Sequence, residues 1–293
     1  MMYQKILFAV GEDSASDAAV PVVAAYARHL KADLHVLHVH RVGVDVPDGQ
    51  IRAMLNRVVE RLEAGGVHSS GEVRLSANDR KVSTIITRVA TDAGADLVAI
   101  GSRGRSDLGG LFLGSVSHRV AAGLDLPVLV VRTTPGLHAP PRKVLVATDG
   151  STASDRAVAD AAELARRTGA AVSVLHVCQI VATPGGAFVE PAAEARATVN
   201  HAVALLQEQG IHATGETVIS QTGTVDAIAA ASERDGADLV VIASRRPSEL
   251  SGLLLGSVAH GLIHRLSTPV LLASRTPARH HAAVSQTGSR ETR

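Results

Sequence analysis

The feature of this sequence that most constrains its fold is an internal repeat. The stretch KILFAVGEDSASDAAV begins at Lys5, and KVLVATDGSTASDRAV begins at Lys143, 138 positions later. His38 in LHVLHVH and His176 in VSVLHVC keep that spacing, whereas the strings LPVLVVR and TPVLLAS lie 142 positions apart. A repeat of this length has the size of a whole domain. The sequence therefore predicts two copies of one domain, the second with a net insertion of four residues near ATPGGA.

The boundaries of the copies follow from composition. The string TTPGLHAPPR, residues 133–142, holds three prolines and one glycine and is typical of a linker. We therefore expect a first domain over residues 1–134, a linker over 135–142 and a second domain over 143–275. The remaining residues, 276–293, show no apolar periodicity and are predicted to form a disordered tail.

Each copy alternates short apolar runs with amphipathic stretches, which predicts five strands and four helices in β-α-β order. Val, Leu and Ala dominate, and aromatic residues make up only 2% of the chain, which is typical of buried parallel strands covered by helices. The predicted fold class is α/β: two tandem, doubly wound, five-stranded parallel sheets with helices on both faces, Rossmann-like. Pro21 falls inside the first predicted helix, so we expect a kink or a later start there.

Composition excludes several classes of partner. The formal net charge is +1, which favours neither nucleic acid nor an acidic membrane surface as a partner. No apolar run approaches the roughly 20 residues of a membrane span, and MMYQKILFAV is predicted to be a first strand and not a signal peptide. The single cysteine, Cys178, excludes an internal disulfide and favours a cytoplasmic location.

The 14 histidines raise the question of a metal site. His38 and His40 share one face of a predicted strand, and His35 points to the other face. Neither a cysteine nor a carboxylate stands at ligand spacing, and His176 recurs without a partner in the second copy. We therefore predict no metal site and expect hydrogen-bonded structural histidines.

A glycine-rich stretch follows the fourth predicted strand. It reads AIGSRGRSDLGGLFLGSVSHRV over residues 99–120, and its counterpart over 241–262 reads VIASRRPSELSGLLLGSVAHGL. Glycines let the backbone approach a ligand closely, the start of the next helix offers free amides, and arginines suit phosphate oxygens. The stretch therefore predicts an anion site at the carboxyl ends of the strands. Its candidate residues are Gly101, Arg103, Gly104, Arg105, Gly114, Ser115, Val116 and Ser117.

These motifs together resemble the tandem form of the universal stress protein family over residues 3–275. The spacing Gly101-x2-Gly104-x9-Gly114-Ser115 resembles the phosphate loop of its ATP-binding members, and ATDGSTAS and LHV resemble its first-strand and second-strand motifs. The resemblance implies strand order 3-2-1-4-5, phosphates over the glycine loop, and adenine and ribose near the ends of the first two strands. It implies backbone contact of Val39 with adenine. The family's aspartate after Val10 is replaced here by Gly11.

The second copy departs from the family pattern at the opposite place. Its first-strand aspartate is present, but Ala243 and Arg246 replace the first two glycines of the loop. We therefore expect the first copy to be the better ATP site, with Mg²⁺ accompanying the nucleotide. The residues that the resemblance assigns to the second site are Asp149, Val177, Gly256, Ser257 and Val258.

The expected function is an ATP-binding, nucleotide-dependent regulatory protein of the stress response, with slow ATP hydrolysis at most, no catalytic residue and an unidentified regulatory protein partner. Two alternatives stay open. VGEDSAS faintly resembles the loop of enzymes that adenylate a substrate, and a scaffold could carry vestigial nucleotide sites. The last strands of the two copies are predicted to pair in a pseudo-two-fold arrangement, which leaves room for further homodimerisation.

Overall fold

The apolar runs of the chain form strands that are buried on both faces, and the amphipathic stretches between them form covering helices. A computed structural model describes residues 3–11, 14–43, 47–102, 115–132, 139–183, 186–244 and 255–274. The elements of the first copy are β1 (Lys5–Val10), α1 (Ser14–Leu30), β2 (Asp33–Arg41), α2 (Asp48–Ala64), β3 (Ser69–Ser76), α3 (Asp79–Asp92), β4 (Leu97–Ser102), α4 (Ser115–Gly123) and β5 (Val128–Arg132).

The second copy repeats this order and adds a hairpin after its second strand. Its elements are β6 (Lys143–Thr148), α5 (Thr152–Thr168), β7 (Ala171–Gln179), β8 (Val181–Thr183), β9 (Gly186–Phe188), α6 (Ala192–Gln207), β10 (Ala213–Ser220), α7 (Thr224–Asp235), β11 (Leu239–Ile242), α8 (Ser257–Arg265) and β12 (Val270–Leu272). Strands β8 and β9 pair antiparallel and lie where the sequence predicts the insertion.

Strand pairing confirms the predicted fold class. The order is β10-β7-β6-β11-β12-β5-β4-β1-β2-β3, so each half has the expected order 3-2-1-4-5 with parallel neighbours. The two five-stranded halves are also joined to each other by their last strands, as the sequence predicts. Strands β5 and β12 pair antiparallel, with Leu129 opposite Leu271, and join them into one ten-stranded sheet. Each apolar last strand thereby covers the edge of the other.

A side chain also links the halves next to this seam. The guanidinium of Arg132, at the end of β5, donates to the carbonyl oxygens of His264 at 3.0 Å and Leu266 at 2.5 Å. Both carbonyls lie at the end of α8, where helix carbonyls lack partners within the helix. The first half therefore caps a helix of the second.

The core consists of two apolar layers, one on each face of the sheet. Alternate strand residues point to opposite faces, as Val36 and Leu37 do in β2, and both are fully buried. One layer packs against α1, α2, α5 and α6, and the other against α3, α4, α7 and α8. Within the described ranges, no helix is both long enough and apolar enough to cross a membrane.

Helix α1 differs from the sequence-based expectation at Pro21. The helix begins at Ser14 and runs through the proline, so a start after Pro21 is wrong. The flanking residues Val20 and Val22 are buried in the core. Their packing outweighs the loss of one backbone hydrogen bond, because tertiary contacts supply most of the stability of such helices.

A buried carboxyl lies where the end of the second copy meets α5. Asp160 is 2% exposed, and its Oδ2 accepts the Ser274 amide at 2.9 Å. Burial raises the pKa of Asp160 to about 6, although the Ser274 amide and the charge of Arg156 oppose the rise. Because this pKa lies above its ordinary value of 3.8, the folded state binds the proton more tightly than the unfolded state.

We expect Asp160→Asn to stabilise the protein at neutral pH. The free energy of unfolding of the wild type falls as the pH rises from about 4 through 6, by about 2–3 kcal/mol, whereas the asparagine avoids this loss and still accepts the Ser274 amide. Urea unfolding at about pH 4 and pH 7.5 measures the difference, with Asp125→Asn at an exposed turn as control. Equal pH dependence in wild type and Asp160→Asn would contradict the assignment.

Glycines in the two outer strands set how closely their covering helices pack. A β-carbon on Gly215 in β10 would collide with Val199 and lie 2.8 Å from Val203 Cγ2, both on α6. A β-carbon on Gly71 in β3 would lie no closer than 3.1 Å to Leu55 and Val59 of α2. Helix α6 of the second copy therefore packs closer to its strand than α2 of the first copy does.

We expect Gly215→Ala to lower the free energy of unfolding by about 1–3 kcal/mol through overpacking, and Gly71→Ala to cost clearly less. Denaturant unfolding of both variants under one condition makes the comparison. An equal cost at the two positions would argue against closer packing of α6.

Candidate functional site

The candidate site is the edge of the sheet where the chain connections change direction. Strand β1 lies between β2 and β4, and β6 lies between β7 and β11. In each half, the chain adds its second and third strands on one side of the central strand and its fourth and fifth strands on the other side. The strand order reverses at the central strand, so a crevice opens beyond the carboxyl ends of the strands. The repeat builds one such corner in each half.

The first corner brings together residues from four elements. Val10 pairs in register with His38, and Ala9 pairs with Ile100, so Val10, Val39 and Gly101 lie at the same sheet edge. Past the end of β1, the Gly11 amide donates to Ser16 Oγ at 2.7 Å. This contact holds the start of α1 against the strand end.

The first turn of α4 is attached to this corner. Ser117 Oγ donates to the Gly101 carbonyl at 3.3 Å, and Val116 and Ser117 are half-buried. The first turn of α4, which begins at Ser115, carries no acidic side chain. The predicted ligands Arg103, Gly104, Arg105 and Gly114 lie outside the described residues, so their roles stay predictions.

The second corner holds an exposed carboxylate. Asp149 follows β6, and its Oδ1 accepts hydrogen bonds from the Ser151 amide at 3.1 Å and the Ser151 hydroxyl at 2.5 Å. Gly150 next to it has φ +73°, and a β-carbon there would meet Thr198 at 3.3 Å. The turn thus favours glycine, and it leaves the carboxylate exposed at the end of β6.

A helix start completes the second corner as well. Gly256 caps α8 without a side-chain hydrogen bond, Ser257 begins the helix and Val258 follows it. The first turn of α8 also carries no acidic side chain. Free amides at a helix N-terminus attract anions. Val177, near the end of β7, occupies the position that Val39 has in β2.

Comparison with known proteins shows which family has this architecture. Residues 2–132 and 141–274 each match the family described as "Universal stress protein family". Two matches cover most of the chain. The chain belongs to the universal stress protein family.

Relatives in this family cover most of the chain. Universal stress protein Rv2005c of Mycobacterium tuberculosis is 30% identical over 217 residues, which are 68% of this chain and 71% of that protein. A universal stress protein of Mycolicibacterium smegmatis is 28% identical over 287 residues, 91% of this chain and 96% of that protein. A crystal structure of a universal stress protein from Archaeoglobus fulgidus DSM 4304 has the same fold, with TM-score 0.77 and 21% identity over 94% of this chain and 100% of that one.

Two shorter universal stress protein structures contain adenine nucleotides. One is in complex with cAMP, and one, from Archaeoglobus fulgidus, is in complex with dAMP. They cover 46% and 44% of this chain, with TM-scores of 0.38 and 0.35. These ligands belong to those two proteins alone.

A histidine ties the first two strands together in each half of the universal stress fold. His38 Nδ1 lies 3.0 Å from the Val10 carbonyl oxygen, and His176 Nδ1 lies 2.9 Å from the Thr148 carbonyl oxygen. A carbonyl only accepts, so both Nδ1 atoms carry the hydrogen. These are the hydrogen-bonded structural histidines that the sequence predicts.

The second half also contains a cluster that the sequence analysis missed. His176 Nε2 lies 2.5 Å from Glu190 Oε2, and Cys178 lies beside them. The expectation that His176 had no cysteine or carboxylate in reach is therefore wrong. Burial, and then the Glu190 carboxylate, raise the pKa of the Cys178 thiol. The only sequence signal was the insertion, whose hairpin returns the chain toward β7.

We expect Ser117→Ala to loosen the first turn of α4. The substitution removes the hydroxyl that donates to the Gly101 carbonyl and costs about 0.5–1.5 kcal/mol. The second copy has Ala259 at this position, so the first turn of α8 is the internal reference. Hydrogen exchange should speed up over residues 116–120 and stay unchanged in α8. Unchanged exchange in α4 would contradict a fastening role for Ser117.

Proposed function

We propose that this protein binds ATP and acts as a nucleotide-dependent regulatory protein of the stress response. It changes its surface, and so its affinity for a regulatory protein partner, with nucleotide occupancy. The proposal includes a cytoplasmic location, which rests on the cysteine content of the sequence.

The observation that carries the proposal is the construction of the corner. The ends of β1, β2 and β4 lie at one edge of the sheet, and the first turn of α4, which begins at Ser115 and lacks acidic side chains, is bonded to the end of β4. Main-chain amides and the positive end of the helix dipole suit a phosphate chain, and strand-end backbone suits an adenine edge. The Ser117 bond to Gly101 supports this role because it holds helix and strand at a fixed spacing.

We propose the first half as the better ATP site. It keeps the complete glycine spacing, with Arg103 and Arg105 between the glycines. The second half keeps Asp149 at its strand end, but it has Ala243 and Arg246 where the loop has glycine. A β-carbon at these positions limits close approach of a phosphate to the backbone.

Mg²⁺ would accompany the nucleotide, held chiefly by phosphate oxygens and water. Catalysis is proposed to be slow at most, since the residues assigned to the first corner are glycines, valines, serines and arginines. None of these residue types is a ready general base for activating water. A homodimer of this two-domain chain is part of the proposal.

The test compares matched double variants. We expect Gly114→Ala with Ser115→Ala to weaken ATP binding at least about tenfold, which is ~1.4 kcal/mol, and Gly256→Ala with Ser257→Ala to change the tight site little. Isothermal titration with Mg·ATP gives affinity and stoichiometry, and mass spectrometry identifies any nucleotide released from denatured protein. Equal losses in the two double variants would overturn the preference for the first half.

Product analysis separates the alternatives. Slow formation of ADP agrees with the regulatory proposal, whereas AMP and pyrophosphate would identify an adenylating enzyme and contradict it. If millimolar ATP does not raise the melting temperature, ATP binding is contradicted and the scaffold with vestigial nucleotide sites is the alternative that stands.

A further inference from the structure

We propose that His176, Cys178 and Glu190 form a Zn²⁺ site in the second half, independent of nucleotide binding. The inference replaces the sequence-based expectation that the chain holds no metal. It rests on a cluster of three different donor atoms that the tertiary structure assembles.

The three side chains converge from two segments. His176 and Cys178 are alternate residues of β7 and share one face, and they are 6% and 4% exposed. Glu190 follows β9 and reaches the same place. The ligand atoms, Nε2, Sγ and a carboxylate oxygen, all lie within 4.8 Å of one another. Such a set surrounds one small volume.

The histidine is oriented as a metal ligand requires. Its Nδ1 hydrogen donates to the Thr148 carbonyl, so Nε2, which faces Glu190, is the ring nitrogen that a metal ion would bind. Metal-bound histidines in proteins almost always donate their other N–H in this way, which fixes the tautomer and ring orientation. The Thr148 carbonyl therefore supplies the second contact that a metal-binding histidine needs.

His176 and Glu190 already approach each other where a metal ion would lie. Nε2 and Oε2 are 2.5 Å apart. Zn²⁺ binds the deprotonated forms of its ligands, so its binding would displace any proton from this place and from the Cys178 thiol.

The distance between His176 Nε2 and Glu190 Oε2 fits a zinc ion after a small movement of Glu190. Zn–N and Zn–O bonds of about 2.0–2.2 Å in a tetrahedron separate the two ligand atoms by roughly 3.3 Å. Glu190 must therefore retreat from His176 by less than about 1 Å. Its side chain is 30% exposed and lies in the connection between β9 and α6, so it has room to move. Water completes the fourth position.

The donor set selects the ion. Mg²⁺ and Ca²⁺ prefer oxygen ligands only, whereas Zn²⁺ accepts imidazole, thiolate and carboxylate together. The first half offers a different pair in the corresponding places, His38 and His40, with ring centroids 6.2 Å apart. The thiolate thus marks the second half as the zinc site.

The test uses the full chain without nucleotide, titrated with Co²⁺ as a spectroscopic probe and then with Zn²⁺. Cys178 is the only cysteine, so thiolate-to-cobalt charge-transfer absorption reports this site alone, even if other histidines bind metal. We expect one Co²⁺ per chain, the charge-transfer band, and loss of the band when Zn²⁺ is added. A wild-type protein without a saturable band would overturn the proposal.

Variants assign the remaining ligands. Cys178→Ser should abolish the band, and Glu190→Gln should weaken metal affinity at least about tenfold. Glu194→Gln, an exposed glutamate in the first turn of α6, is the matched control and should behave as wild type. Thermal unfolding checks that each variant folds, and Glu190 is exposed enough to be replaced safely. Equal affinity in Glu190→Gln and wild type would overturn the three-ligand site. Failure of ATP binding leaves this outcome unaffected, because no nucleotide is present.

Discussion

Parallel pairing of the first strand of each half with two neighbours is the constraint on which the rest of the structure depends. Strand β1 is hydrogen-bonded to β2 on one side and β4 on the other, and β6 repeats this arrangement. The chain must then build the sheet outward on one side of the central strand and afterwards on the other. This reversal leaves a crevice at the carboxyl edge of the sheet. That pairing places Val10, Val39 and Gly101 at the edge of the sheet in the first half, and Val177 near it in the second.

The repeat gave two equivalent corners, and small changes have made them different. The first retains the glycine spacing and has Gly11 at its first strand end, whereas the second has Asp149 and a substituted loop. His38 and His40 of β2 correspond in the repeat to His176 and Cys178 of β7. Two copies in one chain can therefore carry different chemistry at corresponding positions.

The seam between the halves serves both stability and geometry. Pairing of β5 with β12 removes two apolar edges that would otherwise invite association with other chains. Arg132 reinforces the seam by capping α8 of the other half. The orientation of the two corners relative to each other is therefore set by backbone hydrogen bonds and not by a linker alone.

The sequence by itself determined the features that local patterns encode. The repeat, the alternation of strands and helices, the class of sheet, the pairing of the last strands and the place of Gly101 at the sheet edge could all be predicted, because periodicity and spacing are properties of neighbouring residues. The places of Val10 and Val39 came from the resemblance to the family. Only the tertiary structure decided that α1 continues through Pro21 and that Glu190 meets His176. These outcomes depend on packing between segments distant in sequence. No local pattern specifies how a hairpin folds back or which buried contacts outweigh a lost hydrogen bond.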